Sequence, residues 1–323
     1  MNFLLSFFLN ISAALFCLSI FSYLIPQLVV WFLPERNLKH RYGQSWCVVT
    51  GGSSGIGQQF AVKATKQGMN CVIIGRNESH LNETKDLLSQ LNPQTQQLYI
   101  TADFSKDPDV VTRHILQQVE ELDISVLFLN AGYGSFEKAT GPSSTLVDML
   151  NTNTVTNLAL FNSLSPRILR RSLSQTSSSK EHRGAVFLTS SVVDLVAVPY
   201  AANYCSTKSS LAAFGESLAF ECQQVGVDVV VLRPGPVNTR FYDRISGISI
   251  LQAIQLVGSS PQSVVRKLFK SVGRLVACDV GLSTILVRLF TKVVDYNAYA
   301  TFVAPIFNLF PEFQHLGQES ETR

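Results

Sequence analysis

Six short runs of β-branched and aliphatic residues, separated by longer helical stretches, constrain this chain more than any other feature. They are Cys47-Val-Val-Thr50, Cys71-Val-Ile-Ile74, Leu98-Tyr-Ile-Thr101, Val126-Leu-Phe-Leu129, Ala185-Val-Phe-Leu-Thr189 and Val229-Val-Val-Leu232. Each is nearly continuous in apolar residues, as strands buried on both faces of a parallel sheet must be. Parallel neighbours need crossovers, and the intervening stretches have the length and periodicity of helices. The pattern predicts an α/β fold, a doubly wound parallel sheet of the Rossmann kind. Its ligand site should lie outside the carboxyl ends of the strands. The polar, low-complexity stretch Ser172–Arg183 is expected to be a surface loop before the fifth strand.

Composition removes several alternatives. With 46% hydrophobic and 15% charged residues in 323, the chain is too apolar to be disordered. A net charge of +3 is too small for a nucleic-acid binder. The six cysteines are scattered with no CxxC pair, and the five histidines are dispersed, so neither a metal site nor a disulfide scaffold is expected.

Residues Met1 to Leu33 carry no charged side chain. A helix of ~20 apolar residues crosses a bilayer core of ~30 Å. The run is too long for a cleavable signal and no basic residue precedes it, so a retained transmembrane helix is expected. Arg36, Lys39 and Arg41 follow it, and positive flanks prefer the cytosol. The body of the protein should then be cytosolic, and the formal sequons at Asn77 and Asn82 should stay unmodified. The expected organisation is a transmembrane anchor at 1–33, a basic juxtamembrane linker at 34–45, a catalytic domain at 46–275 and an apolar C-terminal extension at 276–323. The stretch Leu282–Phe310 is interrupted by Arg288, Lys292 and Asp295. It reads equally as a cover for the substrate site, an interfacial segment or an ordinary buried tail.

The first strand runs into Thr50-Gly51-Gly52-Ser53-Ser54-Gly55-Ile56-Gly57, with a helical pattern after it. Gly51 permits the turn, Gly55 lets the backbone approach a pyrophosphate, and Gly57 lets helix and strand pack closely. Backbone N–H groups and the helix dipole favour phosphate there. Gly51, Ser53, Ser54, Gly55, Ile56 and Gly57 are therefore the expected dinucleotide contacts. The second strand ends Ile74-Gly75-Arg76-Asn77, with an Arg and no acid. An acid there accepts from a ribose 2′-hydroxyl, whereas an Arg suits a 2′-phosphate, so the expected cofactor is NADP(H).

Tyr204 and Lys208 stand four apart at the start of a long helical pattern and share a face. Ser191 lies thirteen residues before Tyr204, just past the fifth strand. A free tyrosine titrates near ~10, so bringing it to neutrality takes about 4 kcal/mol of differential stabilisation. The Lys208 ammonium and the positive ring of oxidised nicotinamide would both contribute. Tyr204 would then protonate a carbonyl oxygen as hydride arrives, while Ser191 holds that oxygen.

Taken in order, these motifs resemble those of the membrane-anchored short-chain dehydrogenases/reductases, over about Tyr42 to Asn238. The resemblance implies that Asp103 meets the adenine and that Asn130-Ala131-Gly132 stabilises the sheet and lines the cofactor. It implies that Asn153 is a fourth catalytic residue, holding a water in a proton relay to Lys208. Pro234-Gly-Pro-Val237-Asn-Thr239 is similar to a family turn whose Thr contacts the nicotinamide amide, with Pro234 and Val237 beside it. Leu129 departs from the family, which often has an Asn there. Tyr42–Trp46 and Ala102-Asp103-Phe104 are similar to the hydroxysteroid dehydrogenase and 3-ketoacyl-CoA reductase branch. Gly75-Arg76-Asn77 is closer to 3-ketodihydrosphingosine reductase. All of these act on apolar ketones at the endoplasmic reticulum.

The expected activity is thus NADPH-dependent reduction of a lipid-like ketone, a 3-ketoacyl-CoA, a 3-ketosphingoid base or a steroid. The alternative is a catalytically silent, membrane-tethered dinucleotide-binding or scaffold protein. Membrane lipid is an expected partner and nucleic acid is not; homo-oligomer formation is a family expectation. The stretch Ile245–Leu256 reads either as a substrate lid or as a plain amphipathic helix. The basic stretch Val264–Lys270 is expected to be a solvated helix face.

Overall fold

The structure, a computed structural model, describes residues 2–140, 143, 145–171, 183–241 and 258–309. Most of the expected polar loop and the whole of the expected lid, 245–256, lie outside the described residues. Seven parallel strands form one sheet in the order β3-β2-β1-β4-β5-β6-β7. They are β1 Trp46–Thr50, β2 Asn70–Gly75, β3 Gln97–Thr101, β4 Ile124–Leu129, β5 Gly184–Thr189, β6 Val227–Pro234 and β7 Ala277–Val280. The first six are the expected runs. Strand β7 was not anticipated, because the charge of Asp279 breaks its four residues. It pairs with β6, Arg233 opposite Asp279. The sheet therefore continues past the boundary expected at residue 275.

Alternation of side chains along each strand separates two cores. Cys47, Val49, Phe128 and Phe187 face one side, where α3 (Gly55–Lys66) and α9 (Pro261–Ser271) pack. Val48, Leu127, Leu129 and Leu188 face the other, under α5 (Pro108–Gln118), α7 (Thr156–Arg170) and α8 (Ala202–Gln223). On the first side Phe60 lies 4.6 Å from Phe128, 5.8 Å from Phe187 and 5.4 Å from Phe269, ring centre to ring centre. This stack joins α9 to the sheet through α3. It also places Val264, Val265, Leu268 and Phe269 inside, so only part of the Val264–Lys270 stretch is a solvated face.

Two further expectations are refined. The stretch at 34–45 is more than a linker: α2 (Leu38–Tyr42) buries Leu38 and Tyr42 in the domain. The N-terminal helix α1 (Asn2–Phe32) is the one described helix long and apolar enough to cross a membrane. Its second half lies against the domain. Gln27 donates to the carbonyl of Ala277 (3.5 Å) on the outer edge of β7, and Tyr23 donates to Asp279 (3.0 Å).

The chain reverses direction across the sheet between β1 and β4. Strands β2 and β3 lie to one side of β1 and the later strands beyond β4. The carboxyl ends of these two strands form the crevice where ligands of such sheets bind.

Candidate active site

The turn after β1 is shaped by glycine. Gly51 and Gly55 have φ of 63° and 56°, which other residues rarely adopt. A Cβ on Gly57 would lie 2.3 Å from the Gly51 carbonyl oxygen, so α3 can sit on the turn only with glycine there. Ser54 precedes the helix without a side-chain cap, and the first helical bond runs from Gln58 N–H to the Ser54 carbonyl. The N–H groups of Gly55 and Ile56, which line the cleft, have no intrahelical partner and remain for a ligand.

A cleft of about 630 Å³ runs from this turn in both directions. That is within the usual ~300–1,000 Å³ of small-molecule sites. At one end lie Arg76, Asn77 and Asp103. Strand β2 ends at Gly75, where a Cβ would stand 2.6 Å from Ser53 Oγ. Arg76 follows and is exposed; Asn77 caps α4 (Glu78–Ser89) by accepting the His80 N–H. Asp103 accepts the Ser105 N–H at 3.1 Å. Arg240, which the sequence reading did not single out, also lines the cleft and pairs with Glu83 at 3.3 Å.

The middle of the cleft is tied together by Thr50 and two asparagines. Thr50 Oγ1 accepts the N–H groups of Asn130 and Ala131 (2.8 and 2.9 Å) and donates to Asn157 Oδ1 (2.8 Å). Asn130 donates to the Thr50 carbonyl and accepts from Thr189 Oγ1, so the ends of β1, β4 and β5 are joined. Asn157 is fully buried and donates to the carbonyls of Ala131, Thr152 and Asn153.

Ser191, Tyr204 and Lys208 line the far end. All three are at least nine-tenths buried. Lys208 Nζ donates to the Thr189 carbonyl at 2.8 Å and lies 5.8 Å from the centre of the Tyr204 ring. Burial lowers the Lys208 ammonium to about 8, against the opposing charge of Asp194. Ser191 Oγ accepts the Val193 N–H at 3.4 Å, and no described protein group accepts its proton. Phe241 packs on Tyr204 with ring centres 5.8 Å apart.

Asn153 stands behind this end, in a π-helical turn (Asn151–Val155) ahead of α7. Its amide forms a reciprocal pair with the Tyr133 backbone (2.8 and 2.9 Å) and donates to Thr207 (3.0 Å). A Cβ on Gly132 would lie 3.0 Å from Asn153 Oδ1 and 3.2 Å from Lys208 Nζ, so glycine lets the two approach the cleft wall. Of all the sequence-predicted residues, only Gly57 and Asn153 do not line the cleft; Pro234, Val237 and Thr239 do.

Two supporting networks were not anticipated. Arg233, almost fully buried, donates from Nε to both oxygens of Asp194 (2.8 and 2.7 Å) and from Nη2 to Glu216 (2.8 Å). Burial pushes the Asp194 carboxyl up, against the opposing charge of Arg233. Ser190 Oγ lies 2.6 Å from Asp194 and 2.8 Å from the Lys208 carbonyl, linking the turn after β5 to α8. In the second, Glu137 Oε1 accepts from Ser143, Thr145 and Asn203 (2.7, 2.8 and 2.7 Å), the last on α8 one residue before Tyr204. Its N–H donates to Tyr200, the one non-glycine with positive φ among the described residues. Burial raises the Glu137 carboxyl, but these hydrogen bonds outweigh it and hold it below the usual range.

The model of the short chain dehydrogenase family matches residues 45–246, and the chain belongs to that family of nicotinamide-dinucleotide oxidoreductases. Its relatives include the very-long-chain 3-oxoacyl-CoA reductase of Scheffersomyces stipitis, 28% identical, covering 80% of this chain and 72% of the relative. The same enzyme of Ajellomyces capsulatus is 24% identical, covering 83% and 75%. The 7beta-hydroxysteroid dehydrogenase of Collinsella aerofaciens is 28% identical, covering 76% and 89%. Among solved structures, a 7beta-hydroxysteroid dehydrogenase superposes with a TM-score of 0.69 at 24% identity, over 83% of this chain and 99% of that one. A Burkholderia phymatum member in complex with NAD gives a TM-score of 0.64 at 20% identity, over 77% and 93%. The L-sorbose reductase of Gluconobacter frateurii with NADPH gives 0.60 at 22% identity, over 73% and 95%. Neighbours thus hold either cofactor, and the fold alone does not choose between them.

Proposed function

We propose that the chain is an NADPH-dependent reductase of an apolar, lipid-like ketone, a 3-ketoacyl-CoA, a 3-ketosphingoid base or a steroid. It would be anchored in the endoplasmic reticulum membrane with its catalytic domain in the cytosol. The observation that carries the proposal is one cleft with Arg76 at one end and Ser191, Tyr204 and Lys208 at the other. The cleft fits a dinucleotide on its donor set. The N–H groups of Gly55 and Ile56 suit a pyrophosphate, Arg76 a 2′-phosphate, Asp103 the adenine, and Val237 with Thr239 the nicotinamide amide. When bound in reduced form, that group supplies the hydride.

The protein's own residues would do the rest. Lys208, charged at neutral pH beside the phenol, favours the phenolate that remains after Tyr204 gives its proton to the ketone oxygen. Ser191 has a hydroxyl proton to offer the same oxygen. The Asn153 amide is spent on Tyr133 and Thr207, so its contribution from the side chain is to hold the wall at Gly132. Its backbone carbonyl, which accepts from the Asn157 side chain, would hold the relay water.

The relatives' printed substrates, a 3-oxoacyl-CoA and a 7β-hydroxysteroid, both couple an apolar body to a reacting carbonyl or alcohol, which supports the lipid-like class. The test is NADPH oxidation by the full chain in detergent or vesicles. The substrates are long-chain 3-ketoacyl-CoAs, 3-ketodihydrosphingosine and ketosteroids. Turnover of at least one is expected. NADPH binding without turnover of any would leave the silent dinucleotide-binding reading instead.

A further inference from the structure

We propose that the β7 edge of the domain is itself seated in the lipid bilayer, so that the membrane grips the protein over a continuous surface rather than through a flexible single-pass tether. The inference rests on reading α1 as the membrane-spanning helix.

Helix α1 has two parts. Side chains at residues 3–18 are all exposed, whereas the second half carries a docking stripe. Ser19, Tyr23 and Gln27 recur every four residues and share one face. Lys292, on α10 (Leu282–Val293), donates to Ser19 Oγ at 3.3 Å and lies 6.0 Å from the Tyr23 ring centre. Tyr23 reaches Asp279, which Arg288 of α10 also holds at 3.0 Å. Val30 is buried, and Lys270 and Arg274 donate to the carbonyls of Trp31 and Pro34. Cations at that end complement the carbonyls a helix leaves unpaired.

Length then decides the depth. The free part, sixteen residues from 3 to 18, is about 24 Å long at ~1.5 Å per residue. A bilayer core is ~30 Å thick. The free part falls short, so a crossing helix must bring some of its docked half into the lipid. The outward side chains there suit it: Phe21, Ile25, Leu28 and Trp31 are all more than half exposed. What lies against that half is drawn to the same level. Lys292 touches Ser19, near the free part, so the end of α10 sits deepest.

The surface that α10 presents is apolar. Leu282, Leu286 and Val293 fall on one stripe and are 72%, 55% and 61% exposed. Its charges, Arg288 and Lys292, turn inward to Asp279 and Ser19. Beyond α10, Tyr296, Phe302, Ile306 and Leu309 are exposed as well. Tyr299, between them, donates to the Ala197 carbonyl at 2.6 Å, in the loop that joins Ser191 to Tyr204. The lipid-seated edge therefore reaches the loop between two cleft residues, Ser191 and Tyr204, and an apolar substrate would pass from bilayer to site along it.

The test uses the full chain with Cys17→Ser, reconstituted in phosphatidylcholine vesicles. Single nitroxide labels are placed at Phe8→Cys, Leu286→Cys and Phe302→Cys, with Phe220→Cys, an exposed position on α8, as the aqueous reference. Collision with oxygen is compared with collision with a water-soluble nickel complex; circular dichroism melts verify that each variant is folded. The label at 8 should prefer oxygen most strongly, and those at 286 and 302 should prefer it several-fold more than the label at 220. If 286 and 302 match 220 while 8 prefers oxygen, the seated edge is wrong and the spanning helix stands. If 8 also matches 220, the spanning reading falls and takes the proposal with it.

Discussion

Tyr204 is the residue on which the proposed chemistry turns. Removing one phenolic oxygen in Tyr204→Phe should lower kcat by about 10²–10⁴-fold, the usual worth of a placed general acid. Binding of NADPH, followed by its fluorescence, should change little. Lys208 sets a pH limit. With its ammonium lowered to about 8, reduction should decline as pH rises through that value, seen as the basic limb of a kcat/KM profile. The linkage to folding has the opposite sense. Lys208 sheds its proton at lower pH folded than unfolded, so its burial disfavours the fold below about 8 and that cost fades between there and the ordinary lysine value. Arg76 is the test of cofactor choice. Arg76→Ala should cut kcat/KM for NADPH by about 10- to 100-fold, the scale of a charged hydrogen bond, and leave NADH unaffected. An acid at Gly75 is a poorer test, because Ser53 occupies the space its Cβ needs.

At the level of elements, the turn after β5 depends on the Asp194–Arg233 pair. Asp194→Asn would leave the buried guanidinium with only the part-exposed Glu216 as counter-charge, a loss of up to about 3–5 kcal/mol. Urea unfolding should show it, and Asp194→Leu combined with Arg233→Met should recover much of it. The same elements show what the sequence could reveal. Strands β1 to β6 were readable because burial on both faces writes a continuous apolar run. Strand β7 was not, since the charge of Asp279 is met by Arg288 from the next helix and by the Tyr23 hydroxyl from 256 residues away. The glycine turn and the Ser191, Tyr204, Lys208 set were readable because their spacing is local to a strand end or a helix turn. Asp194 with Arg233, Glu137 with Asn203, and Thr50 with Asn157 are meetings of residues 39, 66 and 107 positions apart. No local pattern announces them. The π-helical turn at Asn153 likewise has no compositional mark.

For the whole molecule, orientation across the membrane is the coarsest question and the simplest to test. Natively expressed protein should show no mass shift on glycosidase treatment, despite the sequons at Asn77 and Asn82. A shift abolished by replacing both asparagines would place the domain on the other side.

The docking of α1 also bears on how the protein can be produced. The outward carbonyls of Ala277 and Asp279 are met by Gln27 and Lys267 side chains. A chain trimmed at residue 33 to improve solubility would lose Gln27 and Tyr23 together, baring the rim of the sheet and one acid beside it. Bare rims recruit other strands. Trimming at residue 18 keeps the stripe, and is the cut for which recovery of discrete, unaggregated particles is to be expected.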